Sequence, residues 1–72
     1  MNLVSVTSSN LRAIGYDVST QTLTISFIKS GVYEFYKIPD STHSALMNAY
    51  SKGTYFDRNI KGRFQYKKIA NY

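Results

Sequence analysis

The chain has 72 residues, no cysteine and a net charge of +5. This length allows a single domain over residues 1–72, and its core must come from apolar and aromatic side chains because no disulfide or Cys/His metal site can stabilise it. No apolar run reaches the length of a membrane helix or a signal-peptide core, so we expect a cytoplasmic protein without a membrane partner.

The first half of the chain predicts β-structure. Residues 4–9 form a short β segment or an ordered lead-in, and residues 11–16 form the next apolar stretch. Residues 22–29 alternate apolar and hydroxyl side chains, the period-two pattern of a half-buried strand. After a tight turn at Ser30-Gly31, residues 32–38 form the return strand, which ends at Pro39 because proline lacks the donor that a strand ladder requires.

Helical spacing follows that strand. Asp40 or Ser41 can cap a first helix, and Gly53 is expected just after its end. The predicted buried stripe of this helix consists of Ala45, Leu46, Ala49 and Tyr50.

A second short helix is predicted between Gly53 and Gly62. Thr54 and Asp57 resemble a capping box, while Phe56 and Ile60 point inward. Residues 63–69 then alternate as a last strand, and the final residues are expected to fray.

These elements predict an α+β fold: a small antiparallel β-sheet with two short helices inserted before the last strand, approximately β-β-β-α-α-β. The helices should cover one face of the sheet. The basic C-terminal third is therefore expected to be part of the fold.

Catalytic patterns are missing from the sequence. His43 is the one histidine, the four carboxylates are isolated along the chain, and no phosphate-binding glycine loop or nucleophile elbow occurs. We therefore expect no enzyme activity, no catalytic residues, no cofactor and no metal.

All of the net charge lies in residues 51–72, which contain six basic side chains and one acidic side chain. Aromatic residues are interleaved with them along this segment. Such a mixture suits nucleic acid, because cations meet phosphates and rings stack on bases. It equally suits a small domain whose basic stems cover its core and keep it soluble. The candidate phosphate contacts are Lys52, Arg58, Lys61 and Arg63, with Arg12 and Lys68 further out, and the candidate stacking rings are Tyr36, Tyr55 and Tyr66.

Two further uses of these residues compete with binding. Lysines on a terminal strand also block edge-to-edge pairing, which would explain Lys67 or Lys68. Tyr33 and Phe35 share one strand face and are expected in the core, whereas Tyr36 faces the other way.

Motifs along nearly the whole chain resemble the KTSC domain, named for a C-terminal domain of some lysyl-tRNA synthetases. The departure from the family pattern is Phe35, which stands where a central Y-x-Y signature has its second tyrosine and removes a hydroxyl. The motifs are Ser8-Ser9-Asn10, Ile14-Gly15-Tyr16-Asp17, Leu23-Thr24-Ile25-Ser26-Phe27, Gly31-Val32-Tyr33-Glu34-Phe35-Tyr36, Pro39, Ala45-Leu46, Ser51-Lys52-Gly53 and Tyr55-Phe56-Asp57-Arg58-Asn59-Ile60-Lys61-Gly62-Arg63-Phe64.

The resemblance implies a bacterial or phage domain of unknown function for which RNA binding has been suggested. We therefore expect a non-enzymatic basic module that binds RNA or single-stranded nucleic acid. The alternatives are an accessory protein that binds another protein, and a module that captures a small anionic nucleotide. The oligomeric state stays open.

Overall fold

The computed structural model describes residues 3–8 and 10–71, and that part of the chain folds into one five-stranded antiparallel sheet and two helices. The strands lie side by side in chain order. The predicted α+β architecture is confirmed, and the lead-in forms an additional strand, so the order is β-β-β-β-α-α-β. The elements are β1 (Val4–Ser5), β2 (Leu11–Asp17), β3 (Thr22–Phe27), β4 (Gly31–Phe35), α1 (Asp40–Met47), α2 (Lys52–Asn59) and β5 (Tyr66–Ala70). Ser9 and Tyr72, which entered the sequence predictions, lie outside the described residues.

The alternation in β3 sets the inner face of the sheet. Leu23 and Ile25 are fully buried, and Ile25 lies opposite Ile14 on one side and Tyr33 on the other. Side chains two residues apart share a face, so these positions build one apolar surface. That surface is the floor on which the helices pack.

Phe56 of α2 joins the helices to the sheet. Its ring lies 5.2 Å from the rings of Phe27 and Phe35, both in edge-on geometry. Edge-to-face packing at this distance is favourable beyond the area that it buries. The cluster of buried core residues is Leu11, Ile14, Leu23, Ile25, Phe27, Phe35, Ile38, Leu46, Phe56 and Ile60.

The predicted boundary between the helices is wrong. Gly53 lies inside α2, and the hydroxyl of Ser51 accepts a hydrogen bond from the backbone N–H of Thr54 at 3.3 Å. Ser51 is therefore the N-cap, in place of the expected capping box of Thr54 with Asp57. The sequence places a capping serine two residues before the glycine, and the helix begins directly after this serine.

The predicted stripe of α1 is also partly wrong. The helix ends at Met47, so Tyr50 falls in the connection to α2, where its ring is fully exposed. Ala45 is exposed as well, and Leu46 is the buried residue of this helix.

The last strand is shorter than predicted because residues 60–65 form a turn. The backbone N–H groups of Ile60 and Lys61 both donate to the Phe56 carbonyl, and the N–H of Arg63 donates to the Ile60 carbonyl. These hydrogen bonds end α2 and form the turn, so β5 begins at Tyr66.

Tyr16 connects the sheet to the segment that leads into α1. Its hydroxyl donates a hydrogen bond to the backbone carbonyl of Ile38, and its ring stacks on His43 at 4.5 Å. Burial raises the pKa of Tyr16, and the negative charges of Asp40 and Asp17 raise it further.

Replacing Tyr16 by phenylalanine should lower the free energy of unfolding by about 1–3 kcal/mol, because the carbonyl of the fully buried Ile38 loses its partner. Urea denaturation measures this loss, with Tyr50→Phe as the control at an exposed ring. The stability from Tyr16 should be complete below pH of about 10 and be lost as pH rises through its raised folded pKa. Equal stability of Tyr16→Phe and the wild type would contradict this role.

Candidate functional site

A cleft of 390 Å³ opens between the end of α2 and the strands β4 and β5. We call it the aromatic cleft, because five of its lining residues carry rings. The residues that line it are Asn10, Phe27, Ser30, Tyr33, Phe35, Phe56, Lys61, Gly62 and Tyr66.

The rings of the cleft form one connected surface. Tyr66 lies 5.8 Å from Tyr33 and 5.6 Å from Phe35, and Tyr33 lies 6.3 Å from Phe35 in a stacked arrangement. Phe35 is buried, Tyr33 is half-buried and Tyr66 is 59% exposed. The deeper rings belong to the core, so they hold the two tyrosines on a rigid base.

Strand pairing brings the tyrosines together. In the register of β4 with β5, Phe35 lies opposite Tyr66 and Tyr33 lies opposite Lys68, which places all four on the inner face. The close approach of the two strands depends on Gly31, since a Cβ atom there would lie 2.3 Å from the carbonyl oxygen of Ala70.

Cations and polar groups surround these rings. Lys61 lines the cleft just after α2, and the ammonium of Lys68 lies 5.9 Å from the centre of the Tyr33 ring. Asn10 and Ser30 add an amide and a hydroxyl to the lining. Flat rings with flanking cations are the combination that binds unpaired bases and their phosphates.

A second cleft of 220 Å³ lies at the end of the turn that leads into β5. The backbone N–H of Tyr36 donates to the Gln65 carbonyl at 3.0 Å, and the Tyr36 hydroxyl donates to a Glu34 carboxylate oxygen at 3.0 Å. Desolvation, the hydrogen bond to Glu34 and its charge together raise the pKa of Tyr36. We call this the second cleft, and its lining residues are Tyr36, Lys37, Arg63, Phe64 and Gln65.

The structure brings several of the predicted site residues to these clefts. Lys61 and Tyr66 line the aromatic cleft, and Lys68 lies beside it over Tyr33. Arg63 and Tyr36 line the second cleft, although Tyr36 is half-buried and its hydroxyl is engaged.

The remaining predicted residues lie apart from the clefts' lining. Arg58 is exposed on α2, and its carbonyl accepts a hydrogen bond from the Nε of Arg63 at 3.1 Å. Lys52 is half-buried at the opposite end of that helix, about 9 Å from Arg58 along the axis at 1.5 Å per residue. Tyr55 is half-buried against the core, and Arg12 is exposed where the β2–β3 register shifts.

Sequence reasoning missed Tyr33, Asn10, Ser30 and Lys37. Tyr33 was predicted in the core; it packs against the core but is only half-buried, and it also lines the aromatic cleft. The signal that identifies it is its pairing with Lys68, which depends on the register of two strands more than thirty residues apart.

Residues 3–8 and 10–71 contain neither a cluster of metal ligands nor a helix that could span a membrane. In that part of the chain no three His, Cys, Asp or Glu side chains come together as metal ligands. None of its helices has the length and apolar character needed to cross a membrane.

Fold and clefts together define a small α+β domain in which one antiparallel sheet and two helices build an aromatic cleft with basic neighbours. The model of the KTSC domain matches residues 7–64. The chain belongs to the KTSC domain family, which confirms the resemblance seen in its motifs.

Known proteins resemble this chain along almost its whole length. A crystal structure of a KTSC domain protein from Yersinia pestis superimposes with a TM-score of 0.94 at 40% identity and covers 94% of this chain and 96% of that one. A lysine–tRNA ligase from a Nostoc species is 40% identical over 94% of this chain, and an uncharacterized protein from Stutzerimonas stutzeri is 33% identical over 96% of it. The chain spans 12% of the length of the Nostoc ligase but 99% of the Stutzerimonas protein.

Proposed function

We propose that this protein is a non-enzymatic module that binds RNA or other single-stranded nucleic acid, with an unpaired base in the aromatic cleft. The observation that carries the proposal is the pair of accessible tyrosines, Tyr33 and Tyr66, held 5.8 Å apart with Lys61 in the same cleft and Lys68 above one ring.

The chemistry of the cleft suits a base better than an apolar ligand. A tyrosine ring offers a flat face for stacking, worth about 1–3 kcal/mol per base. Asn10 and Ser30 supply hydrogen-bonding groups for the base edges, and Lys61 supplies a cation for the adjoining phosphate. The cleft volume of 390 Å³ falls in the usual range for small-ligand sites.

The charge of the whole domain supports the same partner. The net charge is +5, and residues 51–72 carry the excess. A field of one sign raises the rate at which a polyanion meets the surface. Arg58 in the last turn of α2 and Arg63 in the turn that follows are joined by a hydrogen bond, and both contribute to this field.

The relatives add a further argument. The matched segment occurs in proteins named lysine–tRNA ligase, a name that gives tRNA as the substrate of those proteins. Because the chain corresponds to 12% of those proteins, the ligase activity itself is not part of the proposal.

A small anionic nucleotide is the second candidate ligand, since the cleft is large enough for one and needs no continuous strand. A thermal-shift series with mononucleotides and cyclic dinucleotides separates this possibility. Stabilisation by mononucleotides equal to that by an oligonucleotide would favour it.

Binding of a strand should depend strongly on salt. If about five phosphates are neutralised, log affinity should fall with log salt at a slope of about −3.5, so binding weakens roughly a hundredfold between about 50 and 200 mM. Fluorescence anisotropy with a labelled oligouridine of about eight nucleotides, and with tRNA, measures this slope at those two concentrations. Undetectable binding at both concentrations, or binding that ignores salt, would contradict the proposal.

A further inference from the structure

Two basic side chains line the second cleft and do not line the aromatic cleft. Lys37 and Arg63 line it together with Gln65, whose side-chain amide is a further donor. Glu34 lies beside this lining, because it accepts a hydrogen bond from the hydroxyl of Tyr36, and it lies opposite Lys67 in the β4–β5 register. The lining itself therefore carries two positive charges and no carboxylate. The charge of Glu34 is opposed by Lys67, its partner on the neighbouring strand.

Arg63 makes one hydrogen bond within the fold and has further N–H donors on its guanidinium. Its Nε donates to the carbonyl of Arg58 at 3.1 Å, which fixes the guanidinium over the end of α2. A guanidinium has five N–H donors in a planar fork, and such a fork matches two oxygens of a phosphate. One donor serves the fold, and the terminal nitrogens are left for a ligand.

Lys37 occupies an unfavourable backbone conformation. Its φ is +58°, in the left-handed region that disfavours residues with a Cβ atom. Backbone hydrogen bonds of the two neighbouring residues hold it there. The N–H of Tyr36 donates to the Gln65 carbonyl at 3.0 Å, and the N–H of Ile38 donates to the Gln21 carbonyl at 2.9 Å. Glycine would relieve this strain, so the ammonium of Lys37 can be removed by substitution without an expected loss of stability.

We propose that the second cleft binds a phosphate group, and that this is a backbone phosphate of the same strand whose base occupies the aromatic cleft. Residues 61–66 form a wall of both clefts: Lys61, Gly62 and Tyr66 face one, and Arg63, Phe64 and Gln65 face the other. A strand that crosses this wall presents a base to the rings and a neighbouring phosphate to Lys37 and Arg63. The second half of the proposal rests on the function proposed above.

Lys37→Gly is the decisive variant because it removes the cation and the backbone strain together. Its thermal midpoint should be equal to or above that of the wild type. Its affinity for oligouridine should fall about fivefold at about 0.1 M salt, and its salt slope should become shallower by about 0.7, the loss of one phosphate contact. Gln21→Gly is the matched control: Gln21 has a φ of +55°, is exposed and uncharged, and lies outside the lining of both clefts.

Titration with inorganic phosphate, followed by NMR, tests the site without a nucleic acid. The amide signals of residues 36–37 and 63–65 should shift in the wild type and in Gln21→Gly, and should stay in place in Lys37→Gly. Unmoved wild-type signals would overturn the phosphate site, whatever the oligonucleotide does.

The two assays also separate this inference from the proposed function. If oligouridine binds and Lys37→Gly matches the wild type in affinity and salt slope, the strand does not use this cleft and that half of the inference is overturned. If oligouridine does not bind the wild type at all, the proposed function and the strand half fail together. Phosphate-dependent shifts at residues 36–37 and 63–65 would then still support a site for a free phosphate.

Discussion

Replacing Gly31 by alanine should displace β5 and lower the free energy of unfolding by about 2–5 kcal/mol. A Cβ atom at this position would lie 2.3 Å from the Ala70 carbonyl oxygen and 3.0 Å from the Lys68 side chain. The carbonyl belongs to the neighbouring strand and cannot rotate away, so the strands must separate. The φ of +94° adds strain for any residue with a Cβ atom. Since a domain of this size is stable by roughly 4–11 kcal/mol, the loss is a large fraction of the total.

Gly62→Ala is the control for this prediction. Gly62 also has a positive φ, +77°, but a Cβ atom there would meet nothing within 4 Å. Its replacement should therefore cost only the backbone strain, about 1–2 kcal/mol. Urea denaturation gives both free energies, and amide hydrogen exchange in residues 66–70 reports whether β5 has separated. Equal losses in the two variants, with β5 still protected, would contradict the account of the strand contact.

The displacement of β5 should also reduce binding, because Tyr66 begins that strand and is a wall of the aromatic cleft. Gly31→Ala should therefore weaken oligouridine binding even under conditions where it remains folded.

Tyr66→Ala should weaken binding of single-stranded nucleic acid by roughly 5- to 150-fold, the equivalent of the about 1–3 kcal/mol of one stacked base. The Tyr66 ring is 59% exposed, so its removal takes away a contact surface more than core packing. The buried rings below it, Phe35 and Phe56, keep their own contact at 5.2 Å. Anisotropy at about 50 mM salt measures the affinity, and the unfolding midpoint verifies that the variant is folded.

Tyr50→Ala makes the same chemical change at a control position. Tyr50 lies between α1 and α2, its ring is fully exposed, and it lines neither cleft. Its affinity should equal that of the wild type. If Tyr50→Ala and Tyr66→Ala lose affinity equally, or neither loses any, the aromatic cleft is not where the base binds.

Strand β3 was predictable because apolar and hydroxyl side chains alternate along it, although Thr24 and Ser26 are buried as well. Leu23, Ile25 and Phe27 alternate with hydroxyl residues, and all three are buried on the inner face of β3. A pattern of period two therefore predicts the strand and its apolar inner face. The two-residue β1 has no room for such a pattern, and its pairing with β2 comes from the rest of the sheet.

The helix limits were harder to predict because two local signals compete within three residues. Ser51 and Gly53 each mark a helix end in their own right, one as an N-cap and the other as a residue that follows a C-terminus. The packing of Phe56 against Phe27 and Phe35 favours a helix that begins at Lys52, and this tertiary contact cannot be read from local residues.

The candidate site, like the helices, was only partly predictable from the sequence. The cations and rings of residues 51–72 could be identified from the sequence, but their assembly required the pairing of β4 with β5 and the turn after α2. Tyr33 and Lys37 lie far from that segment in the chain and enter the clefts only through this pairing. Lys52 is separated from Arg58 by the length of α2, which a linear charge count does not reveal.

The most direct test of whether a base binds in the aromatic cleft is an NMR titration of the wild-type protein with oligouridine at low salt. The titration follows ring and amide signals together. We expect upfield shifts of the Tyr33 and Tyr66 ring protons as a base stacks on them, with amide shifts at Lys61 and Gly62. Shifts confined to α1 and the α1–α2 connection, with the signals of these two rings unmoved, would contradict it.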